Sequence, residues 1–336
     1  MFKRRLGRSN LEVSAMGLGC WAMGGPWDML EPDGSKKPKG WGQVDDTESI
    51  RAIHYAHDIG INFYDTAPNY GCGHSEKILG QAFAGRRDKV ILATKFGYIV
   101  DEERRIVSET EDIVSRIRKE CEDSLRRLKT DYIDLYQFHK SNYDPGKASE
   151  VRDVLERLVE EGKIKWYGWS TDNPIGAQIF AQGAHCTAIQ HLLNIIDDVP
   201  QMLAVCEEYD QASIIRSPFG RGILTGKINC DSTFPEDDIR HSQEKYLRTK
   251  EAMQRFQRIE AVRKVFTESG EKRTLAQIAL AWIWTRNGRA IPIPGFKTVA
   301  QVKENIQAMD FSFLKDEQME KIDEIFERAP VISLAS

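Results

Sequence analysis

The chain lacks any CxxC pair among its six cysteines, which stand at 20, 72, 121, 186, 206 and 230. Thiols scattered in this way read as buried side chains rather than a disulfide framework or a metal set. It also lacks an excess of positive charge: 47 Lys and Arg against 51 Asp and Glu leave a net charge of −4 at pH 7. A mildly acidic balance argues against a nucleic-acid or anionic-membrane partner. The most apolar helical stretch, TLAQIALAWIW at 274–284, falls far short of a bilayer span. The N-terminal MFKRRLGRSN is basic, but no apolar h-region follows, so a signal peptide is not expected and a cytoplasmic protein is the default reading. Low-complexity tracts and residue-level repeats are missing too.

What recurs is a pattern: a short β-branched or aromatic run, a loop, then an amphipathic helical stretch. After an N-terminal hairpin over 2–14, strands are predicted near 15–20, 61–65, 89–95, 132–138, 164–169, 187–190, 212–216 and 290–293. Helices are predicted over 46–59, 74–84, 111–128, 149–161, 174–182, 200–209, 274–286 and 299–308. In SEVRDVLERLVEEG, for example, Val151, Leu155, Leu158 and Val159 share one helical stripe, and Gly162 ends it. Eight alternations in one chain point to an α/β architecture, a closed (β/α)8 TIM barrel in a single domain over 1–336, with a C-terminal helix. Two segments break the rhythm, a Gly/Pro/Lys-rich loop at 24–42 and a long connection at 224–254. Long loops on one rim of a barrel usually belong to the site.

In a barrel, residues at the C-terminal ends of the strands converge on one face. Here those ends carry Asp65, Lys95, His139, Ser170, Gln190 and Arg216. Adjacent strands lie about 4.8 Å apart, so Asp65 and Lys95 can pair at the rim while Tyr70, five residues beyond Asp65, folds back over them. A phenol titrates near 10, and a neighbouring ammonium is expected to lower that value. His139 can orient an incoming oxygen or help relay the proton. His54 and His57 sit three apart on one helix, but no Cys or second carboxylate completes a zinc set, so no metal is expected.

No GxGxxG follows an early strand. The imitation GRGILTG at 220–226 has its third glycine one residue late, and its run into Lys227 lacks the spacing of a P-loop. SPFGRGILTGK does offer a glycine-rich loop after the seventh strand, with Ser217, Phe219, Gly220, Arg221, Gly222 and Lys227 as candidate ligands. Unpaired N–H groups and two cations in such a loop can cradle a pyrophosphate. In IPIPGFKTVAQVKEN the eighth strand feeds Gly295, then Lys297 and Thr298 at a helix start, a natural anion site.

GINFYDTAPNYGCGHSE, ATKFG and IDLYQFH resemble the signature segments of the aldo-keto reductase superfamily, and the likeness runs from GLGCW (17–21) to VKENIQA (302–308). It implies a (β/α)8 barrel with Asp65, Tyr70, Lys95 and His139 as the catalytic set, and NADPH/NADP+ as cofactor. By that resemblance Lys297 and Thr298 take the 2′-phosphate, with Gln301, Glu304 and Asn305 around the adenine. Ser170 and Gln190 would hydrogen-bond the nicotinamide carboxamide, and Asp65, Cys20 and Trp21 would lie against the cofactor or substrate. Two positions depart from the pattern. Thr171, in GWSTD, stands where Asn is frequent, and Arg216 stands where an aromatic is frequent. A planar guanidinium there is expected to stack on the nicotinamide and favour the reduced ring over the cationic oxidised one.

The implied activity is NADPH-dependent reduction of an aldehyde or ketone, the partner being a small-molecule carbonyl. Trp21, Trp27 and Trp41 beside polar side chains rank a sugar-derived or short polar aldehyde first, which would suit carbohydrate metabolism. The alternative is a slow or non-catalytic NADPH-binding subunit that senses redox state, as in potassium-channel β-subunits, or an unrelated barrel such as an isomerase or lyase. Homo-oligomerisation is left open.

Overall fold

The computed structural model describes residues 2–311 and 313–328. Eight parallel strands follow one another in sequence order across one sheet. They are β1 (Leu18–Gly19), β2 (Phe63–Asp65), β3 (Ile91–Phe96), β4 (Ile133–Phe138), β5 (Ile164–Ser170), β6 (Cys186–Leu192), β7 (Ala212–Arg216) and β8 (Ala290–Pro292). The N–H groups of Gly17 and Gly19 donate to Pro292 O and Pro294 O, both at 3.0 Å, and Gly19 bridges Gly295 in parallel. The edges of the sheet thus meet, and the architecture fits a (β/α)8 barrel. A Cβ on Gly19 would sit 2.6 Å from Ile293 O, so the seam depends on glycine.

β3 and β4 are buried at every residue, as expected for strands covered on both faces. The outer layer is formed by α1 (Asp46–Asp58), α2 (His74–Ala82), α3 (Ile117–Leu128), α4 (Ala148–Glu160), α5 (Pro174–Ala181) and α6 (Pro200–Glu208), then α7 (Lys250–Glu268), α8 (Leu275–Arg286) and α9 (Val299–Ile306). A C-terminal helix, α10 (Asp316–Ile325), follows. α4 buries Val151, Val154, Leu155 and Leu158 and gives way to Gly162 at φ +73°. α8 is buried from Leu275 to Trp284 and opens on a Thr274–Gln277 capping box. The hairpin pairs Lys3–Arg5 with Glu12–Ser14, and its Leu6 and Val13 join Phe63, Ala93, Leu135, Ile214 and Ile291 in the barrel interior. Among the described residues no helix is long and apolar enough to cross a membrane.

Three sequence readings need correction. The connection after β7 is not loop throughout 224–254, because α7 begins at Lys250. Only Ile259, Val262 and Phe266 of α7 are buried, too narrow a stripe to stand out among its charges. The third helix starts at Ile117 rather than 111, after a 3-10 turn at Val114–Arg116. The segment 24–42 is also more ordered than a loop. Its strands Lys36–Pro38 and Asp28–Leu30 continue into Ile106–Ser108 and Ile99–Asp101, from the β3–α3 connection, as a four-stranded sheet. That sheet caps the C-terminal end of the barrel strands over Trp27, Cys72 and Val107.

Candidate active site

Lys95 reaches the barrel end fully buried, and its ammonium meets three oxygens: Asp65 Oδ1 at 2.5 Å, Thr66 O at 2.8 Å and Tyr70 OH at 3.1 Å. An ammonium has three hydrogens to donate, so the set is complete. Burial alone would pull Lys95 down, but Asp65 and then Tyr70 outweigh it, and the net direction is upward. Lys95 is therefore charged and aimed.

Lys95 does pull the Tyr70 pKa down, as expected, but the expectation that the phenol ends below its usual value is corrected. Burial dominates, the Lys95 charge acts against it, Asp65 offsets that charge, and the phenol ends above its usual value. The site holds Tyr70 as a protonated phenol across the neutral range.

His139 follows β4 with its N–H on Phe96 O at 2.9 Å. Its ring lies edge-on between Tyr70, 6.0 Å away, and Tyr98, 5.6 Å away. Burial, then the Lys95 and Arg216 charges, hold its pKa well below the ordinary imidazole value, and Nδ1 is buried without a partner. A neutral imidazole orients an oxygen by a hydrogen bond; it is not an imidazolium that gives up a proton.

Two neighbours escaped the sequence reading. Gln137, two residues before His139, donates from Nε2 to Asp65 Oδ2 at 2.9 Å. Tyr98 packs beside His139 with its phenol pushed up to about 12, chiefly by burial. The only sequence signal for either was its nearness to a strand end. Trp21 stacks on Tyr70, with centroids 5.7 Å apart and planes 15° apart, and Trp41 stands edge-on to Trp21 at 5.4 Å. Cys20 is fully buried beneath the set: its N–H donates to Asp65 O at 2.8 Å and its thiol turns back to Leu18 O.

Gln190 commits its amide nitrogen inward, to Asp65 Oδ2 at 2.8 Å and Gln137 Oε1 at 3.2 Å. Its carbonyl Oε1 has only a long contact from Ser170 Oγ, 3.5 Å. Ser170 and Gln190 together present a hydroxyl donor and a carbonyl acceptor, the complement of a primary carboxamide, so the residues fit a nicotinamide amide. Thr171 does not replace the missing Asn, because its hydroxyl is turned to Ser141 O at 2.9 Å. Arg216, 34% exposed, is ion-paired with Asp172, whose other oxygen accepts Leu192 N–H at 2.8 Å.

At the phosphate end the fit is looser than expected. Ser217, Gly220, Arg221 and Gly222 have positive φ, but Gly220 N–H bonds Ser217 O, while Gly222 and Leu224 both bond Phe219 O. The loop therefore spends part of its N–H supply on itself. Lys227 pairs with Glu304 at 2.9 Å. Lys297 Nζ bonds Trp41 O and, at 3.1 Å, Gln43 O. Thr298 caps Gln301 N, Gln301 Oε1 takes Lys297 N–H at 2.7 Å, and Glu48 takes Val299 N–H at 2.9 Å. The start of α9 is thus closed on itself, and a phosphate there requires Lys297 to turn from its carbonyls. Glu48 was not legible as a neighbour because it comes from α1, at the other end of the chain. Asn305 is buried and Gly295 lies on the seam.

All six cysteines are free, and only Cys230 is partly exposed. His54 bonds Ala82 O and His57 packs on Phe83. Among the described residues no cluster of three or more His, Cys, Asp or Glu side chains could hold a metal.

A family model described as the aldo/keto reductase family matches residues 15–327. The aldo-keto reductase YhdN of Bacillus subtilis (strain 168) is 32% identical over 326 residues, spanning 95% of this chain and 92% of that protein. A second relative, the aldo-keto reductase yakc of Schizosaccharomyces pombe, named for NADP(+), is 28% identical over 98% of this chain and 92% of its own. Among solved structures, the glycerol dehydrogenase AKR11B4 from Gluconobacter oxydans superposes with a TM-score of 0.80 at 31% identity, covering 99% of this chain and 98% of that one.

Proposed function

This chain belongs to the aldo/keto reductase family, and from that premise we propose that it is an NADPH-dependent reductase of aldehydes or ketones in which Tyr70 is the general acid. The observation that carries the reading is the bond from Lys95 to Tyr70 OH. The phenol oxygen accepts from the ammonium, which leaves the phenol's own hydrogen to be donated outward, toward a carbonyl oxygen as negative charge develops on it. Lys95 then stabilises the phenolate that remains. Asp65 keeps Lys95 charged, and His139 offers a neutral hydrogen bond that orients the same oxygen. Ser170 and Gln190 would hold the nicotinamide, which would supply the hydride for the carbonyl carbon.

Lys297, with Arg221 on the loop after β7, supplies the cations for the cofactor's phosphates and favours NADPH over NADH; the NADP(+) in the name of the S. pombe relative agrees. Trp21, Trp41 and Tyr98 form aromatic walls beside polar side chains, which suits the C–H faces and hydroxyls of a sugar-derived or short polar aldehyde. The name of the Gluconobacter relative, a glycerol dehydrogenase, points to the same polyol-related chemistry.

A panel of carbonyl compounds assayed by loss of NADPH absorbance tests the reading, with Tyr70→Phe as the decisive variant. That variant is expected to bind NADPH as the wild type does while turnover falls about a hundredfold or more. Near-wild-type turnover would remove Tyr70 from the role. Slow single-turnover oxidation of NADPH with no steady-state substrate would support the redox-sensing subunit instead.

A further inference from the structure

Asp65 Oδ2 is buried and takes two amide donors, Gln137 at 2.9 Å and Gln190 at 2.8 Å. The two amides are also joined to each other, Gln190 Nε2 to Gln137 Oε1 at 3.2 Å. Both hydrogens of the Gln190 amide are therefore spent, one on a carboxylate and one on a carbonyl, and only its Oε1 is left for a ligand. Gln137 is what makes that orientation unique. Asp65 alone would hold one hydrogen of Gln190, but the second bond is to an acceptor that only Gln137 supplies. Gln137 sits in register between Lys95 of β3 and Gly168 of β5. Because the residue opposite it on β5 is a glycine, no bulky side chain separates the amides from β4 and β6. All four members of the network, Asp65, Lys95, Gln137 and Gln190, are at least 98% buried, so water is no substitute partner.

We propose that Gln137 is a positioning residue: by fixing Gln190 and Asp65 together it matches the site to the nicotinamide carboxamide and sets the proton-donor strength of Tyr70. The inference rests on the carbonyl-reductase reading above. It assigns two consequences to one side chain. With the Gln190 carbonyl held outward, a carboxamide NH2 has its acceptor ready, at no cost in reorientation. With two donors on Oδ2, part of the Asp65 charge is absorbed, and less of it opposes Lys95 at the phenol.

The test uses the near-isosteric Gln137→Met. Tryptophan quenching measures its affinity for NADPH and for 2′-phospho-ADP-ribose, which has the phosphates and the adenine but no nicotinamide. Gln137→Met is expected to weaken NADPH about fivefold, the scale of one lost or misoriented hydrogen bond, and to leave 2′-phospho-ADP-ribose unchanged. The basic limb of the pH profile for alcohol oxidation is expected to rise by about half a unit or more, a threefold loss of phenolate at fixed pH. Equal changes for both ligands, or no change for either, would overturn the proposal, as would a limb that stays in place. A purely structural role predicts lost thermal stability without these selective effects. If Gln137→Met does not fold, Gln190→Met removes the other donor from Asp65 Oδ2 and must raise the limb likewise; an unmoved limb there also overturns the idea. A wild type that reduces no carbonyl would sink the parent reading instead, while the two binding affinities still judge this one.

Discussion

Replacing Asp65 with Asn keeps the volume of the site, removes one charge and turns an NH2 toward either Lys95 or the two amides. The two bonds through Lys95, 2.5 and 3.1 Å, put the Asp65 oxygen within about 5.6 Å of the Tyr70 oxygen. At an effective dielectric of about 20, a unit charge at that distance acts on a phenolate with roughly 3 kcal/mol, or about 2 pH units. The sign follows from the roles. With Tyr70 as the proposed acid, alcohol oxidation needs it deprotonated, and Asp65 opposes that deprotonation. In the wild type, oxidation should rise with pH up to the raised value of the phenol, while reduction, which needs the phenol protonated, stays flat through neutrality. His139, held neutral, adds no inflection near pH 6–7. Asp65→Asn should move the oxidation limb down by up to about 2 units, read as kcat between pH 6 and 11, with Tyr70 left to hold Lys95 charged against its burial. The variant should also melt earlier, because stripping one partner from a buried pair costs about 3–5 kcal/mol. A folded variant in which Lys95 keeps its proton and the limb is unmoved or higher would refute the argument that the carboxylate counters Lys95 at the phenol.

Two further expectations concern the cofactor. Arg216→Tyr should lower the ratio of NADPH to NADP+ affinity, measured by fluorescence titration, since the guanidinium disfavours a cationic ring; an unchanged ratio rejects that role. Lys297→Ala should weaken NADPH about tenfold, the scale of a charge-assisted bond, and leave NADH unmoved. Equal losses for both would take Lys297 out of the phosphate site.

Six of the strand ends were legible because each carries a polar residue after an apolar run, and Asp65, Lys95 and His139 converge as that pattern implied. Tyr70 was legible from its place five residues beyond Asp65 and from the resemblance of its segment to the family's signature. Gln137 was not, because an amide inside a fully buried strand looks like an isolated polar exception until its partners from β2 and β6 are known. The direction of the Tyr70 shift was misjudged for a related reason. The ammonium was visible in the sequence, whereas the extent of burial, which outweighs it, belongs to the folded state. The capping sheet was hidden by composition: Asp28–Leu30 and Lys36–Pro38 are short and half polar, and the strand that joins them to the rest of the sheet, Ile106–Ser108, lies 78 residues beyond Asp28–Leu30. At α9 the helix start was recognised, but its occupation by Glu48 depends on α1 packing alongside.

That capping sheet explains why a tyrosine sits in a glycine-rich turn. Gly71, Cys72 and Gly73 all take positive φ, which reverses the chain straight after Tyr70 and feeds it into α2. Gly24, from the β1–α1 connection, lies directly on this turn: a Cβ there would be 2.6 Å from the Tyr70 carbonyl carbon, and one on Gly71 would be 1.8 Å from Gly24 O. Arg105, next to the capping strand Ile106–Ser108, holds the Gly24 segment in place through Pro26 O at 2.7 Å and Gly24 O at 2.9 Å. The proposed general acid must be held to within about half an ångström of its working position, and a rim loop is the part of a barrel least able to do that by itself. Here two long connections that would otherwise be free pair into a sheet, press one glycine onto another, and so fix the backbone of Tyr70. The buried Lys95–Asp65 pair, which by its kind is poor evidence of stabilisation, fixes the hydroxyl from the other side. The phenol is therefore clamped at both ends, by close backbone packing that only glycines allow and by a charge network whose cost in desolvation makes sense only if the oxygen it holds has work to do.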